Sequence, residues 1–403
     1  MARPNPREKT LISALMPTYA RYDVAFERGE GAHLFATDGR RFLDFGAGIA
    51  VCSLGHCHPR LIEALTRQAG LLWHTSNLYR IPEGERLADR LVANTFADSV
   101  FFTNSGAEAV ECGLKMIRKF HDENGTPDRY RVICAEGAFH GRTLATISAG
   151  GQEKILKGFG PAVDGFDHVP FEDLNALRAA ITPQTAAILV EPVQGEGGMR
   201  VASVDYLRAL REVADEFGLV LMFDEVQCGM GRTGKLFAHE WAGVLPDVIA
   251  TAKALGGGFP VGACLARAKF ASALSAGSHG STFGGNPLAM AVGNAVLDVM
   301  LADGFLETVL VTSRKLRARL EELVARHPKL LAEVRGQGLM LGLKAVVPNG
   351  DLVKAFFNQG LLAIPAGDNV VRLVPPLIIN ERHIEEASAM IERACKGFAL
   401  AGA

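Results

Sequence analysis

The 403-residue chain has no long uncharged apolar run. The nearest approach is 248–266, whose only charge is Lys253, and Gly256-Gly257-Gly258-Phe259-Pro260 would break a spanning helix there. No charge of one sign dominates: 42 Lys and Arg against 44 Asp and Glu leave −2. That balance argues against a nucleic-acid or membrane-surface partner, both of which need a basic excess. The opening MARPNPREKT has no apolar run behind its basic residues, so no signal peptide is expected. Cysteine is scarce, with seven residues, an odd number, and no Cys-x-x-Cys. Free thiols in a reducing cytoplasm are the expectation. His56-Cys57-His58 is not expected to hold a metal. Adjacent residues converge poorly on one tetrahedral ion, and no second cluster completes the set. There is no internal repeat and no low-complexity segment.

Glycine is plentiful, at 44 residues, above the usual ~7%. It shows no three-residue period, which excludes collagen. The 48% hydrophobic content excludes disorder and can fill a large core. The length suggests two or three domains, or one large and one small.

Residues 1–58 hold short alternating pieces at 32–36 and 41–44, which read as strands. From 59 to 290, apolar runs at 100–103, 131–135, 186–190, 219–223, 248–252 and 262–266 alternate with helix-period stretches at 59–71, 81–94, 106–120 and 203–217. That alternation predicts an α/β large domain with a mostly parallel sheet covered on both faces. Residues 291–403 read as a smaller α+β domain. Helices are expected at 287–302, 304–327 and 381–396, and strands at 338–344, 361–365 and 370–374. The N-terminal segment 1–58 is expected to pack with it. Ligands of such sheets sit at the carboxyl ends of the strands.

Those strand ends carry chemistry. After 100–103 comes Asn104-Ser105-Gly106-Ala107-Glu108-Ala109. Ser105 can cap a helix, with Glu108 completing a capping box, and the helix start suits a phosphate. After 131–135 comes Phe139-His140-Gly141-Arg142-Thr143, an aromatic face and an Arg fork that could stack on a flat ring and grip a carboxylate. After 186–190, Glu191 and Glu196 flank a glycine loop, either as an acid/base pair or as solvated carboxylates. Asp224 follows a wholly apolar run, and a buried carboxylate needs a cation or several hydrogen bonds. Lys253 also ends an apolar strand, where a lowered pKa would yield a free amine that attacks carbonyls. Gly280-Ser281-Thr282-Phe283-Gly284-Gly285 could bind phosphate or simply turn. Arg372, inside an apolar strand, must find an anion.

Gly229-Met230-Gly231-Arg232-Thr233-Gly234-Lys235 matches two nucleotide motifs but lacks their context. Leu236 stands where a P-loop needs Ser or Thr, and Asp224 to Cys228 separate the glycines from the strand. A nucleotide site is therefore not expected.

Together the set supplies what pyridoxal phosphate needs: a lysine for its aldehyde, an anion for its ring nitrogen, a flat side chain and a phosphate cup. Lys253, Asp224, Phe139 and Ser105-Gly106-Ala107 are those four. Nearly the whole chain, from Gly55-His56-Cys57-His58-Pro59 to Val370–Pro376, resembles the class-III aminotransferases of fold-type-I pyridoxal-phosphate enzymes. The motifs that carry the likeness are Asn-Ser-Gly-Ala-Glu-Ala, Phe-His-Gly-Arg-Thr, Glu-Pro-Val-Gln-Gly-Glu-Gly-Gly, Phe-Asp-Glu-Val-Gln, Ala-Lys-Ala-Leu-Gly-Gly-Gly and Gly-Ser-Thr-Phe-Gly-Gly-Asn-Pro. Within that class the chain is most similar to acetylornithine aminotransferases of arginine biosynthesis.

The resemblance implies roles. Lys253 is the Schiff-base lysine and Asp224 holds the ring nitrogen. Asp224, Glu225, Val226 and Gln227 form the segment beside the ring, with Gln227 near its hydroxyl and Val226 opposite Phe139. Ser105, Gly106 and Ala107 hold the phosphate, with Thr282 reaching it from the other subunit of a homodimer. Arg142 and Ser281 contact acetylornithine, Arg372 takes glutamate's α-carboxylate, and Glu196 pairs with Arg372 when that carboxylate is absent. The co-substrate is 2-oxoglutarate.

One departure bears on substrate. Ornithine aminotransferases carry a Tyr where this chain has Ile49, and an apolar residue there disfavours free ornithine. Succinyldiaminopimelate, ornithine and GABA are the rival donors. An aminomutase or decarboxylase could use the same cofactor but needs no Arg372–Glu196 exchange. A nucleotide-dependent enzyme and a non-catalytic binding protein are the remaining readings.

Overall fold

The computed structural model describes residues 14–401, and side chains from 14 to 398. The opening decapeptide lies outside the described residues. The central sheet has seven strands, in the order Ser99–Thr103, Gly262–Ala266, Val248–Thr251, Val220–Asp224, Thr185–Val190, Arg131–Ala135, Phe166–Val169. Every pairing is parallel except the two made by Gly262–Ala266. The apolar runs exist because these strands are covered on both faces. Leu221 and Phe223 enter one core cluster, whereas Val220 and Met222 enter the other.

The flanking helices start where side chains can satisfy their first N–H groups. Ser105 accepts from the Glu108 N–H at the head of Gly106–Glu123, and Ser203 from the Tyr206 N–H at the head of Val204–Phe217. Asn286 does the same for Pro287–Met300, with Pro287 in the first turn.

Two four-stranded sheets lie outside the central one, besides a two-stranded pairing of Val193–Gln194 with Arg200–Val201. Leu331–Gln337, Met340–Ala345, Val370–Leu373 and Ile364–Ala366 form an antiparallel sheet that carries Arg372. Phe26–Glu30, His33–Ala36 and Arg41–Asp44 form the other, with Leu361–Leu362 added in parallel to Arg41–Asp44. The run expected as one strand at 361–365 is thus divided between two sheets. Beyond the two-residue strands Val193–Gln194 and Arg200–Val201, three strands escape the sequence reading: Phe26–Glu30, Phe166–Val169 and Leu331–Gln337. Each lies at the edge of its sheet and is only partly buried, so it lacks an apolar run. Among the described residues, no helix is long and apolar enough to cross a membrane.

Candidate active site

A cavity of about 400 Å³ opens at the carboxyl ends of the central strands. Asp224, the last residue of its strand, is 3% exposed. Its Oδ1 accepts the Val226 N–H at 2.9 Å, and its Oδ2 lies 2.8 Å from His140 Nδ1. His140 is buried, and its Nε2 has no partner in the structure. Burial alone would push this imidazole down, but the Asp224 hydrogen bond and charge outweigh it and hold the ring above its usual value.

Lys253 follows the Val248–Thr251 strand with φ +44°, a left-handed conformation that costs a non-glycine residue of order 1–3 kcal/mol and clusters at functional sites. Burial lowers the pKa of its amine, and the Arg372 guanidinium lowers it further. Glu196, Asp224 and Glu191 pull the other way without restoring it. The result favours a free amine.

Glu191 also lines the cavity, 4% exposed. Its Oε1 accepts the Phe139 N–H at 2.8 Å, which ties the loop bearing the aromatic ring to the sheet. Burial and the neighbouring Asp224 charge push its carboxyl up to about 7.

Ser105, Gly106 and Ala107 form the wall at the start of Gly106–Glu123. A helix start leaves its first N–H groups without intrahelical partners. The expected capping box is altered. Glu108 Oε2 accepts the N–H of Asn104 at 2.6 Å instead of that of Ser105, and it also accepts from the Asn104 side chain. A Cβ on Gly106 would sit 2.6 Å from Val226 Cγ1, so only glycine lets this wall close on Val226. Phe139, Arg142, Val226 and Gln227 line the same cavity, with the Arg142 guanidinium 5.5 Å from the centre of the Phe139 ring.

Arg372 lies behind the cavity, 1% exposed. Its Nη1 donates to Glu196 Oε1 at 2.5 Å and to Gln227 Oε1 at 2.9 Å. Gln227 thus touches both the cavity and the arginine. A Cβ on Gly195 would lie 2.2 Å from Gln227 Oε1, so the loop bearing Glu196 can pass only as glycine.

Three expected residues lie elsewhere. Glu225 turns away from the cavity and is fully buried, accepting from the N–H groups of Ala238 and His239 and bonded to His239 Nδ1 at 2.8 Å. It follows Asp224 directly at the strand end, so its side chain leaves on the opposite side. It organises the 237–240 turn. Ser281 Oγ is bonded to the Asn104 side chain and the Gly284 N–H, and Thr282 is exposed; neither lines this chain's cavity. Ile49 is 40% exposed beside Val51, which does line it.

The Gly229–Gly234 loop is packed solid. A Cβ on Gly234 would strike Leu310, and the buried Arg232 donates Nη1 to the carbonyls of Leu339 and Pro375. No strand-to-helix turn follows it, only the short 3-10 turn Ala238–Ala242.

Sequence reasoning assigned no role to His140 and left Glu191 open. Glu191 was accessible by the argument that singled out Asp224, since it too ends an all-apolar strand.

A family profile described as "Aminotransferase class-III" matches residues 16–395. The chain is a class-III aminotransferase. The family depends on pyridoxal phosphate, and the enzyme is a transaminase. The chain is 58% identical to "Acetylornithine aminotransferase" of Brucella melitensis, covering 98% of each chain. It is likewise 58% identical to the protein of that name from Agrobacterium fabrum, covering 94% of this chain and 95% of that one. Among solved structures it is similar to N-acetylornithine aminotransferase from Stenotrophomonas maltophilia (TM-score 0.84, 38% identity, 95% and 98% coverage). It is also similar to ornithine aminotransferase from Toxoplasma gondii (TM-score 0.92, 32% identity, 96% and 93% coverage). The class-III residues fit the cofactor. A buried anion, a buried amine, an aromatic face and a helix start that approaches only through Gly106 converge on one cavity.

Proposed function

We propose that the enzyme moves the terminal amino group of N-acetylornithine to 2-oxoglutarate, giving N-acetylglutamate semialdehyde and glutamate, in arginine biosynthesis. The observation that carries the reaction type is the convergence of Lys253 and Asp224 on one cavity, with the Arg372–Glu196 pair bonded to its lining residue Gln227. The donor rests on the 58% identity, over nearly the full length, to relatives named acetylornithine aminotransferase.

Pyridoxal phosphate, when bound, supplies an aldehyde that takes up amines and a ring that accepts electrons. Lys253 would provide the amine for that aldehyde and would move the proton to and from the substrate carbon, a task for which its lowered pKa suits it. Asp224, oriented by His140 and the Val226 N–H, would keep the proton on the ring nitrogen. Phe139 and Val226 would flank the ring, Gln227 would approach its hydroxyl, and Ser105, Gly106 and Ala107 would hold the phosphate. Arg372 exchanges Glu196 for the α-carboxylate of glutamate or 2-oxoglutarate, a bidentate grip. Arg142 grips acetylornithine.

The same reading includes a homodimer with shared sites. Thr282 and Ser281 lie off their own cavity, which suits a role in a neighbour's, and Leu71, Trp73, Leu78, Tyr79 and Phe283 are exposed apolar side chains that a contact would cover. It also includes the cytoplasm as compartment and the division 1–58, 59–290 and 291–403. The pairing of Arg41–Asp44 with Leu361–Leu362 supports packing of the first segment on the third.

Borohydride reduction followed by peptide mapping tests the lysine. Cofactor should be fixed at Lys253 and nowhere else, and Lys253→Ala should be unlabelled and inactive. Labelling at another lysine would refute the assignment.

A further inference from the structure

The Gly229–Gly234 loop encloses a charge that packing alone does not require. Arg232 is fully buried. Among the described residues its side chain donates only to carbonyls, through Nη1, and its Nε and Nη2 have no partner. Burial pushes the guanidinium down to about 9. A buried cation without a carboxylate is costly, and an apolar side chain of similar size would fill the same space at less cost. Stability therefore does not account for an arginine here.

Its partners do. Met340–Ala345 and Val370–Leu373 run antiparallel, with Leu341 opposite Leu373 and Gly342 opposite Arg372. Carried two residues further, the same register sets Leu339 opposite Pro375. Proline has no N–H to give, so the ladder cannot close there by itself. Arg232 closes it from outside. Its backbone carbonyl accepts the Leu339 N–H at 3.0 Å, and its Nη1 donates to the carbonyls of Leu339, at 3.3 Å, and of Pro375. Gly338 lets the hairpin come this close, because a Cβ there would lie 2.5 Å from Thr233 Cα. One residue of the stretch that leaves the central sheet after Asp224 thus holds the ends of both strands.

Arg372 lies inside the pinned strand pair. The same stretch reaches it a second way, through Gln227 Oε1, which accepts from Arg372 Nη1 at 2.9 Å. Asp224 and Gln227 line the cavity and Arg232 ends on the Arg372 sheet, all within one run of chain. We propose that Arg232 is a positioning residue for the carboxylate grip: by completing the strand pair that carries Arg372, it fixes that guanidinium relative to the cavity. This rests on the role proposed above for Arg372. A bidentate grip is sensitive to direction, and a shift of about 1 Å can cost of order a hundred-fold in rate. The loss from a displaced Arg372 falls on glutamate and 2-oxoglutarate rather than on the amino donor, whose proposed contact is Arg142.

Single-turnover absorbance changes of the holoenzyme, with glutamate and separately with N-acetylornithine, test this. Arg232→Met, uncharged and of similar length, should lower kcat/KM for glutamate about ten-fold or more and leave that for N-acetylornithine within about two-fold. Its Tm should stay near the wild-type value, because an apolar side chain replaces a lone buried cation. Arg232→Lys, which keeps a donor for the two carbonyls, should lose less. Equal losses in both half-reactions would mean a general packing role and overturn the proposal, as would unchanged rates in both. If Arg232→Met fails to fold, the ratio of the two half-reactions in Arg232→Lys decides. Arg372→Lys, run alongside, separates the two claims. If it spares the glutamate half-reaction, the reading of Arg372 fails and the positioning role with it. If it slows that half-reaction and Arg232→Met does not, only the positioning role fails.

Discussion

His140 Nδ1 and Asp224 Oδ2 lie 2.8 Å apart, both out of solvent, so the residue expected to face the cofactor nitrogen is itself oriented by an imidazole. Two hydrogen bonds fix the carboxylate, one from the ring and one from the Val226 N–H. Removing the imidazole leaves a buried anion short of a partner. A hydrogen bond to a charged group is worth about 1.5–3 kcal/mol, or roughly ten- to a hundred-fold. His140→Ala should therefore lower kcat/KM by that factor and weaken cofactor affinity, read by titrating the apoenzyme while following the cofactor's absorbance. His140→Asn, which can still donate, should recover part of the loss.

Glu191 gives the fold a pH signature. Its carboxyl stands at about 7 in the folded chain against 4.5 unfolded. Between those values the folded chain keeps a proton that the unfolded chain has released, so stability falls as pH rises through the window. Glu191→Gln removes the titration and keeps a donor of similar shape. Its Tm should change less than wild type between about pH 4.5 and 7, leaving the variant more stable above that range by of order 1–3 kcal/mol. Parallel pH profiles would contradict this.

In the proposed function, the Arg372–Glu196 contact switches between two substrates. Glu196→Gln weakens the competitor for Arg372, so the glutamate half-reaction should gain over the amino-donor half-reaction by roughly ten-fold in the ratio of kcat/KM values. Arg372→Lys should instead raise KM for 2-oxoglutarate, since one ammonium cannot make the bidentate grip. Single-turnover absorbance changes in each half-reaction separate the two effects.

Legibility in the sequence followed burial. Strands covered on both faces, such as Arg131–Ala135 and Gly262–Ala266, were readable to the residue as apolar runs. Edge strands such as Phe166–Val169 were not, because the sheet edge leaves Asp167 and His168 at least partly exposed and interrupts the apolar run. The polar residues that end those apolar runs, Asp224 and Lys253, stood out because burial makes an isolated charge costly. His140 did not, because it lies in a loop, outside any apolar run. Glu225 was misread because adjacent residues at a strand end point to opposite sides, which a motif does not convey. The shape of the Gly229–Gly234 loop, filled by Leu310 and Arg232, depends on residues distant in sequence.

The most direct measurement is a panel of amino donors assayed with 2-oxoglutarate: N-acetylornithine, N-succinyldiaminopimelate, ornithine and GABA. With Ile49 where ornithine aminotransferases carry a tyrosine, N-acetylornithine should exceed free ornithine in kcat/KM by about ten-fold or more. A higher kcat/KM for ornithine or GABA would contradict the proposed substrate, and no transfer from any of the four would contradict the reading of the cavity itself.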